Sequence, residues 1–213
     1  ISQFLWRVPS FCKTVIVFGS QCGSQRHAGF FLNISTSHVN ILFVIWWLLL
    51  FNKGKKEGIV WHRLNPQKDD TDTEFALRLA ISMGAECITV LGGTGSRLDH
   101  VLGNIELLGI GLELGVEIEL LDANNRIRMT DHGMVLKKEE QFGKYVSLIP
   151  YTAQVEHLYL AGFKYPLADY CLKGFRSIGV SNEITEEQAE ITFENGILIV
   201  IESRDDAAMA DES

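Results

Sequence analysis

The sequence predicts an α/β region in residues 1–122 and an all-β region in residues 123–206. Three observations predict these classes. A strand, a glycine loop, a helix and a second strand follow one another from residue 87 to residue 121, which is the order of a βαβ unit. Short β-rich runs separated by turn residues fill the chain after Asp122. An apolar strand ending in a glycine turn occupies residues 13–19, as is common at the start of an α/β domain.

An unbroken apolar run, ILFVIWWLLLF, occupies residues 41–51. A bilayer-spanning helix needs roughly 20 apolar residues, so this run predicts a buried strand or a core helix and not a membrane anchor. No basic start leads directly into an apolar stretch with a small-residue cleavage site, so we identify no targeting signal. Residues 20–40 have no clear hydrophobic period and receive no assignment.

The first predicted helix begins near residue 71. Thr71 and Glu74 have the spacing of a capping box, apolar residues from Leu77 onward form one face, and Gly84 ends the helix. Residues 87–91, CITVL, then predict a buried parallel strand, because the run is apolar and largely β-branched.

A second predicted helix follows the glycine loop at residues 92–95. Its apolar residues recur at helical spacing from Leu98 to Leu108. Residues 116–121 supply another strand after Gly115, and this strand completes the βαβ unit.

The region after Asp122 is predicted to be all β. Its first strand-like runs are residues 126–130, 134–138, 145–149 and 157–160. The pattern ends in a predicted hairpin, in which residues 191–193 and 197–201 flank Glu194-Asn195-Gly196, and Asn-Gly suits a tight primed turn. Residues 207–213 are predicted to form a solvated tail.

Composition argues against several classes of protein. The net charge is −8, whereas a protein that binds nucleic acid nonspecifically needs a basic surface to displace counterions. The four cysteines form no Cys-x-x-Cys pair, which argues against a zinc knuckle or a disulfide framework and favours reduced thiols in a cytoplasmic protein. Acidic residues are unevenly distributed, because Glu57 is the only one among the first 60 residues.

Residues 68–72, KDDTD, form the first group of candidate functional residues. They lie where a loop enters a helix, and the backbone N–H groups at that position favour anions. Several carboxylates beside a lysine suit Mg²⁺, which takes oxygen ligands and bridges to phosphates. Helix capping is the alternative explanation, since acidic first turns are common.

Residues 92–100, GGTGSRLDH, form a second group where a parallel strand passes to a helix, the usual ligand position in open α/β sheets. The spacing is not that of a Walker loop, so the glycines alone indicate no more than a tight turn. On the helix, His100 and Asn104 share a face, and Arg97 and Asp99 lie at the N-terminal end of the helix. Arg97 could neutralise a phosphate through two hydrogen bonds. Asp99 could orient the Arg97 guanidinium or accept a hydrogen bond from the substrate. A buried salt bridge with a capping Asp99 is the alternative.

Residues 179–183, GVSNE, form a third group within the β region. Its hydroxyl and amide groups could hydrogen-bond a planar heterocycle. An ordinary turn is the alternative explanation for the same residues.

Two further motifs, GFKYPL at residues 162–167 and SRD at residues 203–205, accompany these three groups. Read together and in order, the five motifs resemble the thiamine pyrophosphokinase family over residues 64–205. The resemblance implies a parallel-sheet, Rossmann-like α/β domain that binds ATP and Mg²⁺, a C-terminal β-sandwich that binds thiamine, and a homodimer with active sites at the subunit interface. It also implies transfer of a pyrophosphoryl group from ATP to the thiamine hydroxyl, which yields AMP and thiamine diphosphate.

The resemblance also implies roles for particular residues, carried over by matching motif. Those implied to act in catalysis are Asp69, Asp72, Arg97 and Asp99, with Asp69 and Asp72 as metal ligands. Those implied to bind ATP and its phosphates are Lys68, Thr71, Gly92, Gly93, Arg97, His100 and Asn104. Those implied to bind thiamine are Asp99, Ser181 and Asn182.

One motif of the family is missing. The family carries a Gly-Asp-Phe-Asp-Ser stretch in its N-terminal region that contributes magnesium ligands, and no aspartate precedes Asp69 here. A frameshifted reading of the N-terminal coding region, a natural fusion or a degenerate relative would each explain the difference. The missing motif leaves open an alternative function, a thiamine- or nucleotide-binding homologue with impaired catalysis. Trp46 and Trp47 leave open another, a membrane-associated adaptor that uses them as an interfacial anchor.

Overall fold

The fold is seen in a computed structural model of the chain, which describes residues 14–18, 28–34, 40–46, 60–63 and 71–205. The chain divides into two compact units, Ile1–Asp122 and Ala123–Ser213. The candidate residues Lys68 and Asp69 lie outside the described residues, as do Trp47 and the tail at residues 207–213.

The first unit contains one mixed sheet. Its strands are β1 (Thr14–Phe18), β2 (Ala28–Ile34), β3 (Asn40–Trp46), β4 (Val60–Arg63), β5 (Cys87–Leu91) and β6 (Glu117–Leu121). In the order β6-β5-β1-β3-β2-β4, the first four strands are parallel, whereas β2 is antiparallel to both of its neighbours. The predicted strands at residues 13–19, 87–91 and 116–121 are confirmed. The predicted parallel sheet is interrupted by β2, and the apolar run at residues 41–51 is a strand as far as Trp46.

Three helices accompany this sheet in the described part of the unit: α1 (Asp72–Ser82), α2 (Leu98–Glu106) and α3 (Gly109–Leu114). The predicted cap of α1 is confirmed, because the Thr71 hydroxyl accepts a hydrogen bond from the backbone N–H of Glu74 at 3.2 Å. The helix predicted through Leu108 is wrong at its end, because α2 stops at Glu106 and the chain turns into α3. Glycine at 109 and 111 weakens a continuous helix, and the turn buries Leu108.

A buried polar pair joins β5 to β6. The Thr89 hydroxyl donates to Oε1 of Glu119 at 2.8 Å, and both side chains are buried. A buried carboxylate without hydrogen bonds costs several kcal/mol, so this bond helps to make the position of Glu119 tolerable. Around the pair, the core of the unit is apolar and includes Leu77, Ile88 and Leu120.

The second unit is rich in sheet, as the sequence predicts. Its strands are β7 (Asn125–Thr130), β8 (Met134–Lys137), β9 (Tyr145–Pro150), β10 (Gln154–Ala161), β11 (Leu167–Lys173), β12 (Asn182–Glu183), β13 (Gln188–Thr192) and β14 (Leu198–Ser203). One group of strands has the order β12-β9-β14-β7 and the other β11-β10-β13-β8, and every pairing within them is antiparallel. A single apolar cluster draws residues from both groups, among them Val146, Leu158, Ile191 and Val200.

The predicted hairpin at residues 191–201 is wrong. β13 pairs with β8 and β10, whereas β14 pairs with β7 and β9, so the two strands belong to different sheets. The turn residues bond elsewhere, since Glu194 donates its N–H to the carbonyl of Glu156 and Asn195 accepts from the N–H of Glu156. β14 carries three consecutive buried residues, 198–200, which suits a central strand better than one arm of a hairpin.

A buried carboxylate in β14 holds two arginines of the neighbouring strand β7. Glu202 is 1% exposed, and its Oε2 lies 2.6 Å from the Arg128 guanidinium and 3.5 Å from that of Arg126. Its Oε1 accepts the backbone N–H of Phe142 at 3.0 Å. The charge is therefore compensated by two guanidinium groups and one backbone donor.

An exposed histidine lies where β10 and β11 fall out of register. His157 has φ 54° and Asp169 has φ 52°, and the register shifts between Val155 and Leu160. Nδ1 of His157 lies 2.5 Å from Oδ1 of Asp169, and its Nε2 lies 3.8 Å from Oε2 of Glu194. The hydrogen bond with Asp169, followed by the charge of Glu194, raises the pKa of His157 above its usual value.

This raised pKa makes a small part of the stability depend on pH. Stabilisation by the charged imidazole is fully present below the unfolded pKa of about 6.5 and is lost as the pH rises through the folded pKa. We expect His157→Gln to lower the melting temperature at about pH 5.5 and to change it little at about pH 9. Asp169→Asn should show the same pH dependence and should add little to His157→Gln in the double variant. Equal destabilisation at both pH values, measured by calorimetry, would contradict this assignment.

Candidate active site

The loop between β5 and α2 is shaped by two glycines. Gly92 has φ 75°, a backbone conformation that residues other than glycine rarely adopt. A Cβ on Gly93 would lie 3.1 Å from Cδ2 of Leu120, so the loop backbone packs closely against β6. Nδ2 of Asn104 donates to the carbonyl of Gly93 at 2.7 Å, which ties α2 back to the loop. Gly92, Gly93 and Asn104 therefore form one local structure.

A second tie fixes the same loop from β6. The Thr94 hydroxyl donates to Oδ2 of Asp122 at 2.6 Å, and Asp122 directly follows the last residue of β6. Sequence reasoning does not identify this pair, because the partners are 28 positions apart. One feature of the sequence could have indicated the contact: Thr94 and Asp122 each follow a predicted parallel strand, and the carboxyl ends of parallel strands lie at the same edge of a sheet.

We expect Thr94→Val to lower the free energy of unfolding by about 1–2 kcal/mol, because it removes a hydrogen bond to a carboxylate at nearly constant shape. Ser96→Ala, a change at an exposed residue of the same loop, should stay within about 0.5 kcal/mol. Urea denaturation of the three proteins measures the difference. Equal stability of Thr94→Val and the unchanged chain would show that the bond to Asp122 does not hold the loop.

Arg97 and Asp99 pair at the start of α2. Nε of Arg97 donates to Oδ1 of Asp99 at 3.1 Å, and its Nη2 donates to Oδ2. The backbone N–H of His100 donates to Oδ1 of Asp99 at 3.0 Å. Hydrogen bonding from Arg97 lowers the pKa of Asp99, and the same interaction raises the pKa of Arg97.

The alternative of a buried salt bridge with a capping aspartate is wrong, because both side chains are well exposed, at 59% for Arg97 and 64% for Asp99. Asp99 lies inside the first turn of α2, and the residue at the N-cap is Arg97. The bidentate pair instead holds a guanidinium at the surface, beside the loop that Asn104 fixes. An exposed guanidinium at the start of a helix is suited to bind a phosphate.

The group at residues 68–72 is described only in part. Thr71 caps α1, and Asp72 is the half-buried first residue of that helix. Lys68 and Asp69 lie outside the described residues. Among the residues that the structure describes, no three His, Cys, Asp or Glu side chains form a group that could hold a metal ion.

Ser181 and Asn182 lie at the start of β12 in the second unit. Ser181 is exposed and has φ 60°, and its backbone N–H donates to the Ser147 hydroxyl at 3.0 Å. Asn182 is buried, and its Oδ1 accepts the N–H groups of Tyr165 at 3.0 Å and Glu183 at 2.9 Å. Its Nδ2 donates to the carbonyl of Tyr165 at 2.8 Å. The Ser181 hydroxyl is thus the more accessible of the two predicted side chains.

These hydrogen bonds join two of the sequence motifs into one structure. Residues 162–167 lie against residues 182–185, with a bridge between Phe163 and Ile184 and a bond from the N–H of Lys164 to the carbonyl of Glu183. The carbonyl of Gly162 accepts both the N–H and the hydroxyl of Thr185. The sequence shows both motifs but gives no sign that they are in contact.

The structure describes the predicted residues in three local groups. The glycine loop and the start of α2 bring together Gly92, Gly93, Arg97, Asp99, His100 and Asn104. Ser181 and Asn182 are neighbours in the second unit, and Thr71 and Asp72 begin α1. Among the described residues, no helix is both long and apolar enough to cross a membrane.

These features define a protein of the class that joins an α/β unit, with a glycine loop and an exposed arginine after a parallel strand, to a sheet-rich unit. Two family models match the chain: "Thiamin pyrophosphokinase, catalytic domain" over residues 51–120 and "Thiamin pyrophosphokinase, vitamin B1 binding domain" over residues 131–198. The thiamine pyrophosphokinase of Bacillus subtilis (strain 168) is 36% identical over 151 residues, which are 71% of this chain and 71% of that protein. The chain belongs to the thiamine pyrophosphokinase family.

Solved structures agree with this family. The crystal structure of the Bacillus subtilis thiamine pyrophosphokinase is similar with a TM-score of 0.61 and 37% identity, over 65% of each chain. A thiamin pyrophosphokinase family protein from Enterococcus faecalis is similar with a TM-score of 0.71 and 26% identity, over 91% of this chain and 100% of that one. The chain thus spans slightly under two thirds of the Bacillus subtilis structure.

Proposed function

We propose that this chain transfers the pyrophosphoryl group of ATP to the hydroxyl of thiamine and releases AMP and thiamine diphosphate. The observation that carries the proposal is the exposed Arg97 guanidinium, held by Asp99 next to a loop that Asn104 and Thr94 fix. Membership of the thiamine pyrophosphokinase family supports this reaction. Catalysis then depends on positioning the phosphates and on neutralising the charge that develops during transfer.

Arg97 and the glycine loop are proposed to hold the transferred phosphates. A guanidinium has five N–H donors in a planar fork, and the contacts to Asp99 use two of them. The remaining donors suit phosphate oxygens. Gly92 and Gly93 let the backbone approach the nucleotide, and we propose that Lys68, Thr71 and His100 contact it as well.

In the proposed reaction, the thiamine hydroxyl oxygen forms a bond to the β-phosphorus of ATP and its proton passes to solvent. The bond between the β-phosphorus and the oxygen bridging to the α-phosphate breaks, and AMP leaves with the electrons of that bond. Asp99 is proposed to orient the attacking hydroxyl, because its carboxylate is kept ionised by Arg97 and is exposed. The Ser181 hydroxyl is proposed to bind thiamine in the second unit, with Asn182 next to it.

Mg²⁺ is proposed as the metal cofactor, with Asp69 and Asp72 as its ligands. When bound, it would neutralise phosphate charge. Carboxylate oxygens are the donors that this ion prefers. The support for this role is the chemistry of the donors and the resemblance, and Asp69 lies outside the described residues.

The remaining proposals concern architecture and context. We propose that residues 1–122 form a Rossmann-like ATP-binding domain and residues 123–206 a thiamine-binding β-sandwich, with residues 207–213 as a tail. We also propose a homodimer with active sites at the subunit interface and a cytoplasmic location. Size-exclusion chromatography with light scattering tests the dimer.

The reaction is tested by incubating the full chain with ATP, Mg²⁺ and thiamine and separating the products. Stoichiometric AMP and thiamine diphosphate are expected. ADP in place of AMP would contradict transfer from the β-phosphorus. Thiamine phosphate formed together with ADP would indicate a monophosphokinase.

A second candidate function is a thiamine- or nucleotide-binding homologue with impaired catalysis. The absence of any aspartate before Asp69 favours it, because the N-terminal acidic motif of the family is missing. This candidate predicts binding of ATP or thiamine without turnover. Isothermal titration calorimetry showing no heat for either ligand would exclude it, and product formation would exclude it in favour of the enzyme.

A further inference from the structure

The segment at residues 179–182 lies alongside β9 with one extra residue. The N–H of Leu148 donates to the carbonyl of Gly179 at 2.8 Å, and Val146 pairs with Asn182. Residues 146–148 of β9 therefore lie opposite residues 179–182, three against four. This is the count of a β-bulge, in which the extra residue loses its regular bond to the neighbouring strand. Bulges often redirect a side chain next to a binding site.

Ser181 has the strained backbone conformation in this bulge. Its φ is 60°, in the left-handed region that glycine adopts freely and serine adopts only at a cost. The residue is exposed, so its side chain does not fill the core. Glycine would adopt the same conformation without strain but would lack the hydroxyl. A strained residue at the surface therefore points to a function for its side chain.

Ser147 of β9 supplies the bond that the bulge removes. Its hydroxyl accepts the N–H of Ser181 at 3.0 Å, where a regular ladder would use a backbone carbonyl. Ser147 is 8% exposed, and on the other side of β9 it pairs with Ile201 of β14. The acceptor is therefore buried on a strand that has a neighbour on each side, and it holds the backbone of an exposed residue.

We propose that Ser147 is a positioning residue for thiamine binding: its hydroxyl holds Ser181 in the bulge, and the bulge directs the Ser181 hydroxyl to the ligand. The inference rests on the proposed function, because it assumes that thiamine binds Ser181. Ser147 is buried and acts through Ser181, so it needs no contact with thiamine itself. Removing its hydroxyl frees the Ser181 N–H and lets the strained backbone relax.

Isothermal titration calorimetry of the full chain with thiamine compares Ser147→Ala with the matched control Ser177→Ala, which changes an exposed serine of the preceding turn. Loss of one hydrogen bond predicts a rise of about 3- to 10-fold in the Kd for thiamine in Ser147→Ala. The Kd for ATP should stay within about twofold, whereas a general loss of structure would weaken both ligands. An unchanged Kd for thiamine in Ser147→Ala, or an equal rise in Ser177→Ala, would overturn the proposal.

A double-mutant cycle with Ser181→Ala separates positioning from a merely structural effect. Ser181→Ala removes the hydroxyl that binds thiamine, so in that background Ser147→Ala should add less than about twofold to the Kd. A rise that multiplies in both backgrounds would overturn the positioning role. Melting curves identify loss of folding. Where Ser147→Ala does not fold, Ser147→Cys takes its place, because a thiol has a similar shape and is a weaker acceptor, and it should also raise the Kd for thiamine.

Failure of this inference is distinguishable from failure of the proposed function. If the unchanged chain neither binds thiamine by calorimetry nor forms product, the function and the inference both fall. If the unchanged chain binds thiamine and Ser147→Ala binds it equally well, only the positioning role of Ser147 is excluded.

Discussion

Replacing Glu202 by alanine is expected to lower the free energy of unfolding by about 3–5 kcal/mol, which is the range for removing one partner of a buried ion pair. The substitution leaves the guanidinium groups of Arg126 and Arg128 without their shared carboxylate in β14. It also removes the acceptor of the Phe142 N–H. Urea denaturation followed by circular dichroism measures the loss.

The matched control is Glu190→Ala, which removes an exposed glutamate of β13 and should change the stability by less than about 0.5 kcal/mol. Replacing all three charged residues of the cluster by apolar ones of similar size should recover much of the loss, because no unpaired charge remains. A loss below about 1 kcal/mol for Glu202→Ala would show that the charges of the two arginines are satisfied without this carboxylate.

Replacing Arg97 by alanine is expected to lower kcat by about 10²–10³-fold, the usual effect of removing one donor that stabilises charge in a transition state. The cause is loss of the guanidinium that we propose binds the transferred phosphates. Arg97→Lys should recover only part of the activity, since an ammonium keeps the charge and loses the planar pair of donors. Steady-state rates of AMP formation measure both variants.

Arg78→Ala is the matched control for this change, because Arg78 is also exposed and also pairs with an acid of its own helix, Glu74. Its kcat should stay within about twofold of the unchanged chain. If Arg97→Ala keeps full activity, Arg97 serves only the salt bridge with Asp99, and the phosphates are bound elsewhere.

Local patterns predicted much of the fold. The alternation of a β-branched run, a glycine loop and a helical period identifies β5, α2 and β6 because each signal lies within a few residues. The Asn-Gly pair at 195–196 led to the wrong prediction of a hairpin, because it too is only a local signal. Strand pairing is decided by burial over long distances, and Leu198 and Val200, both 0% exposed, place β14 between β7 and β9.

The candidate site shows the same limit. Residue types and order predict Arg97, Asp99 and Ser181 as site residues, but the side chains that bond to the surrounding loops come from distant parts of the chain. Asp122 reaches Thr94 over 28 positions, and Asn182 reaches Tyr165 over 17. Neither hydrophobic periodicity nor motif spacing indicates such contacts, so these residues could be found only from the structure.

In the second unit, the hydrogen-bonded segments 162–167 and 182–185 are expected to unfold locally together. The amides of Lys164, Tyr165 and Thr185 are bonded across the two segments, to Glu183, Asn182 and Gly162. Because each of these amides is hydrogen-bonded across the two segments, we expect all three to exchange with solvent at similar rates, through one shared opening. We therefore expect the segment that carries Ser181 and the Tyr165 ring to open and close as a single cooperative unit, which hydrogen-exchange rates of these amides would test.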